Sequence, residues 1–80
     1  MQIDIISPSK ILYSGKIELV KLPGEAGYFE IKKNHAPIVS TLKSGEIKVK
    51  DENGRLSHFK IESGLVEASH NQISVLVETA

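Results

Sequence analysis

The chain has 80 residues, which is enough for one small domain with a single hydrophobic core. Ten Lys and Arg residues balance ten Asp and Glu residues, and this zero net charge disfavours nucleic acid as a partner, because phosphate binding requires a basic surface. The sequence has no cysteine, which excludes disulfides and thiolate metal sites, and its apolar runs are far shorter than the roughly 20 residues of a membrane helix.

Apolar and polar residues alternate along most of the chain, which is the pattern of half-buried β-strands. Strands are predicted at 2–6, 11–13, 16–22, 28–31, 38–42, 46–50, 55–61, 65–68 and 73–78. Leu19 and Val20 are adjacent apolar residues that shift the alternation, which predicts either a β-bulge or a strand covered on both faces. The pair Asn53-Gly54 predicts a type I′ hairpin turn, since both residues tolerate positive φ angles. The expected fold is all-β, an antiparallel β-sandwich or flattened barrel of eight to ten short strands in one domain spanning residues 1–80.

No group of residues has the pattern of a catalytic, cofactor or metal site. The serines lack the G-x-S-x-G context of a nucleophile, and no two carboxylates are predicted to share a cleft. His58 and His70 stand apart from other ligand residues, so neither is expected to bind a metal. His35 lies in the stiff segment Asn34-His35-Ala36-Pro37, and it is either a loop histidine packed against the sheet end or a contact to a partner protein. The sequence therefore predicts a non-catalytic protein without a cofactor.

Two kinds of small β-domain are alternatives to a protein that acts through contacts with other proteins. A lipoyl- or biotinyl-like carrier domain needs a lysine at a hairpin tip, and the predicted tips at Asn53-Gly54 and His70-Asn71 have none. An oligonucleotide-binding barrel needs basic and stacking residues on one face, which two Tyr, two Phe and zero net charge disfavour. The carrier domain, or another small β interaction module, remains the alternative prediction.

Residues 24–49, GEAGYFEIKKNHAPIVSTLKSGEIKV, resemble the central region of the epsilon subunit family of bacterial F-type ATP synthases. The opening IDIISPSKILYSGKIELVKLPG and the ending ESGLVEASHNQISVLVETA are similar to the beginning and end of the same family's N-terminal domain. The resemblance covers effectively the whole chain, and its most specific part is His35-Ala36-Pro37 followed by an apolar run and Lys43-x-Gly45.

The resemblance implies a β-sandwich of two five-stranded sheets and a role in the central stalk. In that family the domain binds the gamma subunit and the c-ring, and so couples proton or sodium flow to ATP synthesis. The residues expected to face gamma are His35, Ile38, Val39, Ser40 and Thr41. The residues expected to rest on the c-ring are Ser7, Glu25, Ala26, Gly27, Tyr28 and Phe29. The expected location is peripheral, on the cytoplasmic face of the inner membrane, with membrane contact only through the c-ring.

Some positions depart from the family pattern. Lys33-Asn34 stands where Pro-Gly or a related pair is usual, and Tyr28 stands where family members often have an acidic or small polar residue. Tyr28 is therefore expected to make a stacking or hydrogen-bonding contact to the c-ring in place of a charge pair. The family usually continues after the final Thr-Ala with a helical hairpin that can bind ATP and inhibit hydrolysis. The sequence ends at Ala80, so neither ATP binding nor an inhibitory switch is expected of it.

Overall fold

The computed structural model describes residues 1–79, which form eight strands. The strands are β1 (Gln2–Ile6), β2 (Ile11–Gly24), β3 (Gly27–Lys32), β4 (Ile38–Leu42), β5 (Gly45–Asp51), β6 (Leu56–Ile61), β7 (Ser63–Ser69) and β8 (Gln72–Glu78). The all-β prediction is confirmed, although the two strands predicted at 11–13 and 16–22 form one long strand. Within residues 1–79 there is no helix able to cross a membrane.

The long strand β2 organises the sheet, because it has different neighbours along its two parts. Its first part pairs with β1, and its second part pairs with β3 on one side and β5 on the other. This gives a five-stranded half (β4, β7, β8, β1 and the first part of β2) and a four-stranded half (β3, the second part of β2, β5 and β6). The two predicted five-stranded sheets are thus one continuous sheet of eight strands, with β2 shared between the halves.

A β-bulge separates the two parts of β2. The register with β5 shifts between Ile17 and Leu19, which leaves Glu18 unpaired. Ile17 and Val20 are both buried although they are three residues apart, as expected when an extra residue resets the alternation. The predicted bulge is confirmed.

One pair of strands departs from the antiparallel prediction. β1 pairs with β8 in parallel, and this register sets Ile3 beside Ile73 and Ile5 beside Val75. All four side chains are buried in the core between the two halves. The core consists of Ile3, Ile5, Ile17, Val20, Leu22, Ile31, Leu42, Ile47, Val49, Ile61, Val66, Ala68, Ile73, Val75 and Val77.

The type I′ turn predicted at Asn53-Gly54 is wrong, because only Gly54 has a positive φ there (84°). Asp51 closes that hairpin: its carbonyl accepts the Gly54 N–H at 3.0 Å, and its carboxylate accepts the N–H groups of Asn53 and Arg55 at 2.8 and 2.9 Å. Two consecutive positive φ angles occur in the β7–β8 hairpin, at His70 and Asn71 (52° and 60°).

Candidate protein-docking surfaces

Alternation along β4 divides the residues that were expected to face gamma. Val39 points outward with 69% of its surface exposed, and Thr41 is also exposed. Ile38 and Ser40 lie on the opposite face of the strand, where Ile38 packs against the core. His35 is exposed in the loop before β4, and its Nδ1 lies 2.6 Å from the Ala36 carbonyl. Of this set, Val39, Thr41 and His35 are therefore the most exposed side chains, and Ile38 and Ser40 are half-buried.

Outward-facing apolar residues lie side by side on four strands of the five-stranded half. The cross-strand partners run from Leu65 to Leu76, from Leu76 to Ile6 and from Ile6 to Ile11. Leu76 is 50% exposed and Ile11 66% exposed. Scattered exposed apolar residues are ordinary on a protein surface, whereas a contiguous group indicates an interaction site. We call Leu65, Leu76, Ile6 and Ile11 the apolar row.

Thr41 extends the apolar row onto β4, where it is the cross-strand partner of Leu65. With strands about 4.8 Å apart, the row and Thr41 together span about 19 Å, which is the width of the five-stranded half. Sequence reasoning missed the row. The available signal was the presence of adjacent apolar residues, Ile5-Ile6 and Val75-Leu76-Val77, in strands where only one face lies against the core.

A second row of partners lies next to the first on the same face and includes two carboxylates. Val39 is opposite Glu67, Glu67 opposite Ser74, and Ser74 opposite Asp4. The Ser14 hydroxyl donates to Asp4 Oδ1 at 2.6 Å, which holds that carboxylate in place. The outer face of the five-stranded half, which we call the docking face, thus combines an apolar strip with an acidic one.

The outer face of the four-stranded half has the opposite charge character. Its outward residues include Lys21, Lys32, Lys48, Lys50 and Lys60. Lys32 lies 4.0 Å from Glu30, and Lys50 lies 3.6 Å from Glu18. On this half five lysines outnumber the carboxylates of Glu18, Glu30 and Glu46, whereas the second row on the five-stranded half has Glu67 and Asp4.

The residues expected to rest on the c-ring gather at one end of the domain. Glu25 and Ala26 form the exposed tip of the β2–β3 hairpin, and the φ of Gly27 is 131°. Glu25, Ser7 and Pro8 line a groove of about 790 Å³, whose wall also includes three of the residues of the apolar row, Ile6, Leu65 and Leu76. Thr41, which was expected to face gamma, lines the same groove, so the two predicted contact regions adjoin each other.

Ser7 is only 6% exposed, and its hydroxyl is used within the chain. It donates to the Lys10 carbonyl at 3.2 Å and accepts the Lys10 N–H at 3.3 Å, which closes the turn between β1 and β2. Pro8 is exposed in the same turn and offers the surface that Ser7 does not. Phe29 is half-buried, and its side chain packs against the core.

Tyr28 is half exposed, and its hydroxyl also has a partner within the chain. The hydroxyl oxygen accepts the Glu46 N–H at 3.0 Å, and the Lys21 Nζ lies 5.5 Å from the ring centroid. This bond ties β3 to the start of β5. The hydroxyl hydrogen is not used in the bond with Glu46.

Replacing Tyr28 by Phe is expected to lower the free energy of unfolding by about 1 kcal/mol, because the Glu46 N–H loses its acceptor. Urea denaturation measures the change. Tyr13→Phe is the matched control, since Tyr13 is also half-buried and its hydroxyl makes no hydrogen bond among residues 1–79. Equal losses in the two variants would contradict a specific role for the Tyr28 hydroxyl.

The histidines do not converge on a common site. His58 Nδ1 lies 3.1 Å from Glu46 Oε1, His35 is in the β3–β4 loop and His70 is in the β7–β8 turn. The part of the chain that the structure describes has no group of three or more His, Cys, Asp or Glu residues arranged to hold a metal ion. What the described surface offers is an apolar and acidic face for contact with another protein.

Comparison with known proteins identifies related chains. Residues 1–80 match the family model described as ATP synthase, Delta/Epsilon chain, beta-sandwich domain. The ATP synthase epsilon chain of Chlorobium limicola is 38% identical over 77 residues, which cover 96% of this chain and 88% of the relative. That of Leptospira borgpetersenii is 36% identical over 78 residues, which cover 98% of this chain and 61% of the relative. The chain thus spans about three-fifths of the length of the Leptospira relative.

Two solved structures have the same fold. A chain in the mitochondrial ATP synthase of Euglena gracilis, solved as OSCP/F1/c-ring, superposes with a TM-score of 0.88 at 13% identity, covering 94% of this chain and 48% of that chain. A chain in the central stalk/c-ring structure of the Tetrahymena thermophila mitochondrial ATP synthase superposes with a TM-score of 0.81 at 14% identity. The superposition covers 98% of this chain and 63% of that chain. At these identities the likeness concerns the fold alone.

Proposed function

Because the chain belongs to the family of ATP synthase delta/epsilon chain β-sandwich domains, we propose that it is a non-catalytic rotor subunit in the central stalk of an F-type ATP synthase. In this role it binds the gamma subunit and the c-ring, and it helps to couple proton or sodium flow to ATP synthesis. Its place is on the cytoplasmic face of the inner membrane, where it reaches the membrane only through the c-ring.

The contiguous apolar row is the observation that carries this proposal. A domain whose role is to hold two other subunits needs exposed apolar area, and its free energy of binding comes from burying that area. We assign the apolar row, with Val39, Thr41 and the His35 loop, to gamma. The row lies on the same face as Val39 and Thr41, which the family resemblance implies face gamma.

The end of the domain formed by the β2–β3 hairpin and the Ser7-Pro8 turn is assigned to the c-ring. Glu25 and Ala26 project from the hairpin tip, and Gly27, Tyr28 and Phe29 follow them in β3. Ser7 supports this surface through its bonds to Lys10, which close the turn. The groove between the hairpin and the apolar row lets one domain contact both partners at once.

Binding to purified gamma tests the first contact. We expect a 1:1 complex by analytical ultracentrifugation, and capture of that complex by a purified c-ring. Failure of the wild-type chain to bind gamma would reject the proposed function.

Adding positive charge at the tip of the β2–β3 hairpin tests the contact with the c-ring. Glu25→Lys combined with Ala26→Lys is expected to reduce capture on the c-ring at least about tenfold while gamma binding persists, because the new charges must be buried without partners. The control combines Glu52→Lys with Asn53→Lys at the tip of the β5–β6 hairpin, which is exposed in the same way and is assigned to neither partner. Equal capture of the two variants would place the c-ring contact elsewhere on the domain.

A further inference from the structure

Positive φ angles in residues other than glycine are concentrated at one end of the domain. Among residues 1–79 they occur at Asn34 (65°), His70 (52°) and Asn71 (60°). Asn34 lies in the β3–β4 loop with His35, and the other two residues form the β7–β8 turn. Left-handed backbone in such residues is uncommon, and it persists where surrounding contacts fix it. Contacts with neighbouring residues are therefore expected to hold the backbone of Asn34, His70 and Asn71 in this conformation.

Asn34 and Asn71 exchange two hydrogen bonds between the β3–β4 loop and the β7–β8 turn. The Asn34 N–H donates to Asn71 Oδ1 at 2.8 Å, and Asn71 Nδ2 donates to Asn34 Oδ1 at 3.3 Å. The Asn71 carbonyl also accepts the Gln2 N–H at 2.9 Å, which anchors the turn to the first strand. We call the two bonds between Asn34 and Asn71 the Asn clasp.

The Asn clasp is the hydrogen-bonded link between the β3–β4 loop and another element in the described part of the chain. The remaining bonds of the loop are local, from His35 N to the Lys32 carbonyl at 3.1 Å and between the His35 ring and the Ala36 carbonyl. Pro37 restricts the backbone of Ala36, but it has no N–H group with which to donate a hydrogen bond to another strand. The clasp therefore fixes the position of the loop relative to the β7–β8 turn.

We propose that Asn71 is a positioning residue for gamma binding, which holds the His35 loop in its binding conformation before gamma arrives. This inference rests on the proposed function, because it concerns the loop assigned to gamma. A loop that must be ordered during association costs affinity, whereas a loop already ordered does not. Asn71 has this effect without touching gamma.

Asn71→Gly is the variant that tests the proposal. Glycine keeps the left-handed backbone at no steric cost and keeps the carbonyl that accepts from Gln2, but it removes both bonds of the clasp. We expect the dissociation constant for gamma to rise about threefold to tenfold, which corresponds to the loss of one or two exposed hydrogen bonds. Hydrogen exchange of the Asn34 amide should accelerate by a similar factor in the free domain.

Two further variants separate positioning from a general loss of stability. His70→Gly alters the same turn at a residue that also has positive φ and takes no part in the clasp, so it should leave gamma affinity and Asn34 exchange unchanged. Asn71→Asp keeps an acceptor for the Asn34 N–H and should restore most of the affinity that Asn71→Gly loses.

The outcomes distinguish this inference from the proposed function. Wild-type affinity in Asn71→Gly, or an equal loss in His70→Gly, would overturn the positioning role while gamma binding itself stands. If the wild-type chain does not bind gamma, the proposed function fails. In that event the exchange rate of the Asn34 amide still tests the clasp, because it is measured without gamma, and an unchanged rate in Asn71→Gly would disprove it.

Discussion

Replacing Val39 and Leu76 together by Asp is expected to weaken gamma binding by at least about a thousandfold while the domain stays folded. Val39 is 69% exposed and Leu76 50% exposed, so neither carboxylate is buried in the free domain. Burying each apolar side chain fully against a partner contributes about 1.5–3 kcal/mol, and each Asp would in addition place an unpaired charge in the interface. Isothermal titration calorimetry with gamma measures the loss, and circular dichroism and the melting temperature report the fold.

Leu56→Asp is the matched control, because Leu56 is also 50% exposed but lies on β6 of the four-stranded half. It should bind gamma as the wild-type chain does. Ile38 is unsuitable for this test even though it precedes Val39 in the set expected at gamma. Its side chain is half-buried and packs against the core, so Ile38→Asp would destabilise the domain for a reason unrelated to gamma. If Leu56→Asp lost affinity as strongly as the double variant, the gamma contact could not be assigned to the five-stranded half.

The strands and the bulge could be predicted from the sequence because both depend on local alternation. β2 was split in the prediction because Ser14-Gly15 looked like a turn. Ser14 instead bonds to Asp4 across the strand pair, and Gly15 pairs with Ile3, so the chain continues through both. The parallel pairing of β1 with β8 joins the two ends of the described chain, and no local pattern encodes which distant strands meet.

The turn types show how a side chain outside a motif can decide its conformation. Asn53-Gly54 has the composition of a type I′ turn, but the Asp51 carboxylate accepts two backbone N–H groups there and only Gly54 takes a positive φ. The turn with two positive φ angles is formed by His70 and Asn71, and the bonds of Asn71 to Asn34 support it. The competing hydrogen bonds depend on three-dimensional proximity and so lie outside a motif search.

The candidate site was predictable in part. Alternation along β4 was available in the sequence and would have separated the outward Val39 and Thr41 from Ile38 and Ser40. The apolar row could not be assembled in the same way, because it requires the register of four strands. For the same reason the zero net charge gave no sign that five lysines lie on the outer face of the four-stranded half while Glu67 and Asp4 lie on that of the five-stranded half.

Gly64 has no side chain, and this allows β7 and β8 to pack closely beneath the docking face. It lies in β7 between Leu42 of β4 and Val77 of β8, next to Leu65 of the apolar row. A Cβ atom at Gly64 would lie 2.8 Å from the Leu76 carbonyl oxygen and 3.3 Å from Leu42 Cδ1. The Leu76 carbonyl belongs to the backbone of β8, so it cannot move aside as the end of a flexible side chain can. Close approach of β7 and β8 therefore requires glycine at this position.

Gly64→Ala is accordingly expected to lower the free energy of unfolding by about 2 kcal/mol, the usual cost of forcing an extra methyl group into a packed site. For a domain of this size the melting temperature should fall by about 10 °C, measured by differential scanning calorimetry. Gly15→Ala is the control, because the nearest atom to a Cβ there is 3.8 Å away, on the Tyr13 ring, and its stability should change by less than about 0.5 kcal/mol. Equal melting temperatures in the two variants would contradict the close approach of β7 to β8 at Gly64, beside the pair Leu65 and Leu76 of the apolar row.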